Sequence, residues 1–296
     1  MRIIDILTSP WSIIPSKLIE IVEIYNVHLK GEKIDLKIIE AQIGKPLNRE
    51  DQGYEVIDGV ALIPIDGVIS KKMNMFSKIS GGASTQMIAR DFQQALKDPT
   101  VRAIILNIDS PGGSVDGTFE LANMIYESRG TIPIIAHTDG MMASAAYAIG
   151  SAADKIYISG NTTQVGSIGV IVTHYDYSAQ DEKRGIKITH ITAGKYKAVG
   201  ADSKPLSQED KEIIQAEVDY LYTEFVETIA RNRGVPVDQA LSGMAEGKLF
   251  IGKTAITAQL ADGVSALEKL IYEYSPANIP SIVRATVEAK ILQMQS

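Results

Sequence analysis

From Gly59 onward the chain repeats one pattern: a short β-branched apolar run, a turn of small residues, then a stretch with helical spacing. The runs at 60–65, 101–108 and 132–136 do not alternate strictly between apolar and polar, which suits strands covered on both faces. Between them, 84–97 and 115–129 read as helices, N-capped by Ser84 and Ser114. This alternation points to a layered α/β fold. Further strands are expected at 155–158, 168–173 and 186–191. A long charged helix on the outside is expected over 207–232, capped by Ser207, with Glu209 and Asp210 in its first turn where the macrodipole favours acids.

Two of the turns carry chemistry. Asp109-Ser110-Pro111-Gly112-Gly113-Ser114 and Asp139-Gly140-Met141-Met142-Ala143-Ser144-Ala145-Ala146-Tyr147 each follow an apolar run and open a helix-like stretch. Ser144 then stands at a helix N-terminus among small residues that let another backbone approach. A serine hydroxyl is a poor nucleophile at neutral pH unless a base takes its proton. The Gly112-Gly113 pair can turn backbone N–H groups outward, so the N–H of Gly113, with that of Ala145, can face a developing oxyanion. On either motif alone, a tight strand-to-helix turn under an Ala/Ser-rich packed helix accounts for the residues equally well. Two such turns in successive units favour the chemical reading.

In their order, these turns, with Ala153-Asp154-Lys155-Ile156-Tyr157, Val165-Gly166-Ser167-Ile168-Gly169-Val170 and Gly194-Lys195-Tyr196-Lys197-Ala198-Val199-Gly200, resemble the S49 signal peptide peptidase family over residues 59–270. Gly252-Lys253-Thr254-Ala255 and Leu260-Ala261-Asp262 add weaker matches. The resemblance implies a ClpP/crotonase-like α/β fold of repeated ββα units, with layered sheets and outer helices. It also implies peptide-bond hydrolysis by a Ser-Lys dyad, with Ser144 as nucleophile, Lys197 as base and Lys195 as its competitor. Extended substrate is expected along Gly112, Ser114 and Val115, pairing through main-chain hydrogen bonds. The family often has Gly-Gly after its serine, where this chain has Ala145-Ala146; the narrower space favours small substrate side chains. A Ser-His-Asp triad drawing on His174 and Asp176, as in ClpP peptidases, is the alternative. The other histidines, His28, His137 and His190, read as structural or surface groups.

Composition narrows the partners. A net charge of −7 argues against a broad nucleic-acid surface, and the absence of cysteine removes disulfides, thiolate metal sites and a cysteine nucleophile. No metal or cofactor motif stands out, and the partners expected are a protein or peptide substrate and further copies of the chain. The uncharged stretch 6–16 holds Pro10 and Pro15 and is too short to span a bilayer, which takes about 20 apolar residues. The organisation expected is an N-terminal helix at 15–29 and a polar linker within 1–58, a peptidase domain at 59–274 and a C-terminal helical arm at 275–296. The missing anchor, the N-terminal helix and the arm point to the soluble phage-type members of the family, acting in the cytoplasm or in a phage prohead on capsid or scaffold proteins. A crotonase-type acyl-CoA enzyme finds no nucleotide motif here, and an inactive assembly module would not need both Ser144 and Lys197.

Overall fold

The computed structural model describes residues 10–19, 21, 53–72 and 82–275. Pro15 to Ile19 are helical. The rest of the expected N-terminal helix with His28, the lead-in up to 52 and the arm from 276 lie outside the described residues. The strands are β1 (Trp11–Ile13), β2 (Glu55–Ile57), β3 (Val60–Asp66), β4 (Val68–Ser70), β5 (Gly82–Ser84), β6 (Ala103–Asp109), β7 (Gly112–Ser114), β8 (Ile134–Thr138), β9 (Met141–Ala143), β10 (Lys155–Ile158), β11 (Gln164–Gly166), β12 (Leu249–Ile251) and β13 (Gly263–Val264). The helices are α1 (Thr85–Lys97), α2 (Thr118–Glu127), α3 (Ala145–Ser151), α4 (Ser178–Lys183), α5 (Gln208–Arg233), α6 (Val237–Gly243), α7 (Lys253–Thr257) and α8 (Leu267–Tyr274).

The repeat sorts its strands by position. The first strand of each unit, β3, β6, β8 and β10, joins a central sheet of order β13-β10-β8-β6-β3-β2, parallel except for the β2 edge. The second, shorter strands leave it: β4 and β7 enter a sheet of order β1-β7-β4-β5, and β9 and β11 a sheet of order β12-β11-β9. The ClpP/crotonase-like arrangement of layered ββα units is therefore present. Apolar residues alternate between two cores. Ile63, Ile104, Leu106 and Ile134 face Phe92, Tyr147 and Phe225, while Val60, Ala103, Ile105 and Ile135 face Leu270 of α8. Burial on both faces is why these strands lack a polar alternate.

Several expectations change. Ser84 caps α1, accepting a bond from the Met87 N–H at 3.4 Å, and Ser207 forms a reciprocal capping box with Asp210 at the start of α5. Ser114 is not a cap; it lies in β7, and α2 starts four residues after it, at Thr118, following the left-handed Gly117 (φ 85°). The extended pairing of Ser114 with β1 excludes a helical conformation there. Helix α5 is largely exposed in its first half, Asp210 apart, but buries Phe225, Val226 and Ile229 in its second. The β-branched run 186–191 is exposed and forms no strand, and within 168–173 Ile171 makes an isolated bridge to Trp11. Neither run meets a long partner strand, without which β-branching does not specify a sheet. Tyr54 is buried against the core and 55–57 form β2, so the lead-in is structured from there.

Candidate active site

Ser144 sits on a sharp elbow between β9 and α3, with φ 56° and ψ −119°, a conformation that L-residues avoid. Neighbours on both sides fix it. β9 runs parallel to β11, and the Ser144 N–H donates to the Gly166 carbonyl at 2.7 Å. On the other side the Ser110 N–H donates to the Met141 carbonyl at 2.8 Å and the Ala143 N–H to the Ser110 carbonyl at 3.1 Å. The Asp109 carboxylate accepts from the Met141 N–H at 3.1 Å and fills the space a Cβ on Gly140 would need. Strain at the elbow is thus held by hydrogen bonds rather than relaxed. The Ser144 side chain makes no capping bond, so its hydroxyl is left for something else.

That hydroxyl faces an extended strand. β1 pairs antiparallel with β7, Ser12 opposite Gly113, and on its other edge Trp11 exchanges both backbone bonds with Ile171, at 2.9 and 2.8 Å. Ile14 N–H donates to the Pro111 carbonyl at 3.1 Å and Val115 N–H to the Pro10 carbonyl at 3.3 Å. These two bonds bracket Ser12 and Gly113 as the pair whose N–H and C=O groups face each other, so the Ser12 carbonyl points at the Gly113 N–H. Ser12 Oγ lies 2.6 Å from Ser144 Oγ and 3.1 Å from the Gly169 carbonyl. Its single proton goes to that carbonyl, so Ser144 donates to Ser12. Trp11 and Ile13 point the opposite way, into an apolar cluster with Leu18 and Ile21.

The remaining expected residues are placed as follows. Ala145, the first residue of α3, is fully buried, and its N–H has no acceptor within the helix. Gly112 (φ 104°) runs so close to the site that a Cβ there would lie 2.3 Å from the Ser12 carbonyl oxygen and 2.9 Å from Ser144 Cβ. Lys197 is exposed in a turn, its N–H bonded to the Gly194 carbonyl at 3.2 Å, and no hydrogen bond joins it to the buried Ser144 within the chain. Lys195 is ion-paired with Glu209, and that hydrogen bond, with a further one to Tyr196, raises its pKa above the ordinary lysine value. Asp176 accepts from the Ser178 N–H at 2.9 Å, which with the Ser178 hydroxyl holds its carboxyl below the usual range. His174 Nε2 is buried with no hydrogen-bond partner among the described residues, beside a cavity of about 200 Å³ that also touches Pro10, Val199 and Gly200. His137 is buried and bonded to Asn107, and the exposed His190 bonds Ser203. Among the described residues no cluster suited to a metal ion occurs, and no helix is long and apolar enough to cross a membrane.

Residues 127–276, which carry Ser144 and Lys197, match the model of peptidase family S49. The chain belongs to peptidase family S49. It is 33% identical over 214 residues to capsid assembly protease C of Escherichia phage lambda, covering 72% of this chain and 48% of that protein. It is 34% identical over 209 residues to head-tail preconnector protein GP5 of Enterobacteria phage P21, covering 71% of this chain and 41% of that protein. The chain thus spans less than half the length of these two phage relatives. Among solved structures it is similar to a ClpP1 mutant from Listeria monocytogenes, at 14% identity and a TM-score of 0.46, covering 71% of this chain and 94% of that one.

Sequence reasoning missed Ser12. No local signal marks it, because its side-chain partners Ser144 and Gly169 lie 132 and 157 residues away.

Proposed function

We propose that the chain is a serine endopeptidase in which Ser144 Oγ attacks a peptide carbonyl, Lys197 takes the hydroxyl proton and the N–H groups of Gly113 and Ala145 hold the oxyanion. The observation that carries this reading is the strained Ser144 hydroxyl facing an extended strand whose carbonyl points at Gly113. Backbone strain retained at a residue whose hydroxyl caps no helix and faces the cleft supports a functional role for that hydroxyl. Substrate lies along Gly112, Ser114 and Val115, where main-chain pairing supplies affinity and the Ala145-Ala146 step favours small side chains near the nucleophile.

Lys195 is the weaker base, because its pairing with Glu209 stabilises the charged ammonium. An amine accepts a proton at neutral pH only once it is stripped of water. Lys197 is exposed in the single chain, close in sequence to Ile186, Ile188, Ile191 and Tyr196, which also lie open. A second copy docking over this segment covers these apolar side chains, removes water from Lys197 and brings it to its neighbour's Ser144. The substrates are proteins of virion assembly, a reading supported by the names of the two phage relatives, and the site of action is the cytoplasm or prohead.

Labelling with a fluorophosphonate tests the dyad. Ser144→Ala is expected to abolish labelling, and Lys197→Ala to lower its rate by about a hundredfold or more, as loss of a general base does. His174→Ala is expected to leave it within about threefold, well short of the loss that follows removal of a base. Labelling that falls with His174→Ala and not with Lys197→Ala selects the triad instead. Mixing the inactive Ser144→Ala and Lys197→Ala chains is expected to restore activity, and no recovery rejects the shared site.

A further inference from the structure

We propose that the chain carries its own first substrate: residues 10–14 lie in the cleft as a bound peptide, and Ser144 cleaves the Ser12–Ile13 bond. This rests on the reading of Ser144 as the nucleophile and adds the identity of one bond it cuts. Three independent features of β1 match what a scissile segment needs. Its backbone is extended and paired on both edges, with β7 on one side and Ile171 on the other, the arrangement in which a peptide added to a sheet is held. Its register sets the Ser12 carbonyl opposite Gly113, the expected oxyanion donor. And the Ser12 side chain, the small one between two large apolar neighbours, is the one turned toward Ser144, with Oγ to Oγ at 2.6 Å. A shift by one residue would turn Trp11 or Ile13 toward the nucleophile. The burial of Trp11 and Ile13 on the far side opposes that shift.

The reaction balances with groups already named. Ser144 Oγ bonds to the Ser12 carbonyl carbon and gives its proton to the Lys197 amine. The Ser12–Ile13 C–N bond breaks, and the Ile13 amine leaves with the proton returned by Lys197. Water then hydrolyses the ester, freeing Ser144 and leaving Ser12 as a carboxylate terminus. Until the bond is cut, the strand competes with any external peptide for the same β7 edge.

Intact mass and N-terminal sequencing of the full chain test this beside casein hydrolysis. The wild-type chain is expected to lose residues 1–12 and begin at Ile13, the Ser144→Ala chain to stay whole, and Ile13→Pro to retain residues 1–12 while still hydrolysing casein. In a mixture, the Ser144→Ala chains stay full length while wild-type chains are trimmed, because each strand lies in its own chain's cleft. Trp11→Asp puts a carboxylate in the apolar cluster and releases the strand. Its casein hydrolysis is expected to exceed that of untrimmed wild type by about tenfold or more, since a tethered competitor acts at an effective concentration on the order of millimolar. A wild-type chain that hydrolyses casein through Ser144 yet keeps residues 1–12, or trimming of Ser144→Ala chains, overturns the proposal and leaves the peptidase reading standing. Absence of hydrolysis in both wild type and Trp11→Asp overturns the peptidase reading and this proposal with it.

Discussion

Ser144 and Gly252 adopt almost the same backbone conformation, (56°, −119°) and (54°, −123°), and each precedes a short helix that follows a short strand. This is the geometry of the first central position of a type II′ turn, where glycine is the usual residue. At Gly252 the chain uses glycine. At Ser144 it does not, and the strain persists where a hydroxyl is presented to the cleft. The comparison predicts the outcome of replacing the serine in two ways. Ser144→Ala keeps the strain and loses the hydroxyl. Ser144→Gly loses both, relieving about 1–3 kcal/mol of strain against about 0.5–1 kcal/mol of added unfolded-state entropy. Both chains are expected to be unreactive toward fluorophosphonate, and the glycine chain is expected to be the more stable of the two in urea unfolding at equal protein concentration. A glycine chain less stable than the alanine chain would show that the elbow is not strained. Gly112 makes the converse case: Gly112→Ala adds a Cβ at positive φ against the Ser12 carbonyl and Ser144.

Among the elements, one side chain ties three helix ends together. Arg129 follows α2 and donates to the carbonyls of Ser151, Ala152 and Ala153 at the end of α3, at 2.8, 2.8 and 2.6 Å, and to that of Asn232 near the end of α5 at 3.0 Å. These are carbonyls that a helix C-terminus leaves without intrahelical donors, and a guanidinium also suits the negative end of the dipole. Arg129→Met keeps the aliphatic stem and removes every donor. It is expected to cost about 2–4 kcal/mol in urea unfolding, and a loss below about 1 kcal/mol would mean that water replaces the guanidinium fully. The same junction explains what the sequence could reveal. The strands at 60–66, 103–109 and 134–138 were legible because burial on both faces leaves a mostly apolar run. The capping of α1 and α5 was legible because Ser84 and Ser207 act locally. Arg129 was not, since its acceptors lie 22 to 103 residues away. Nor was β1, whose partner strand begins at Gly112. For the site, Ser144 and Gly113 stood out as small-residue turns, whereas Lys197 stood out only through the family resemblance, because a lysine in an exposed turn carries no local mark of its task.

For the whole molecule, the buried His137 and the partly exposed, ion-paired Asp262 each contribute to how stability follows pH. Burial raises the pKa of the Asp262 carboxyl, but the Arg233 hydrogen bond and charge, with the Ile156 N–H at 2.8 Å, outweigh it and hold the pKa below the usual value. A depressed carboxyl stabilises the fold fully above its unfolded value of about 3.9, and that contribution drains as pH falls through the lower folded value. His137, buried in β8 beside Asn107, is likewise shifted down by burial, with Asp139 opposing. Its unfolded value is about 6.5, so the unfolded chain takes up a proton first and stability begins to fall as pH drops past that point. Two steps are therefore expected in the urea midpoint at fixed protein concentration: one beginning below about pH 6.5, and a second below about pH 4. His137→Gln is expected to flatten the first and leave the second, and Asp262→Asn to shrink the second and leave the first at a lower overall midpoint, because Arg233 then faces an amide. A wild-type midpoint that stays level from pH 7.5 to 5 would show that His137 is charged without penalty in the folded chain, which its burial at the centre of the main sheet argues against.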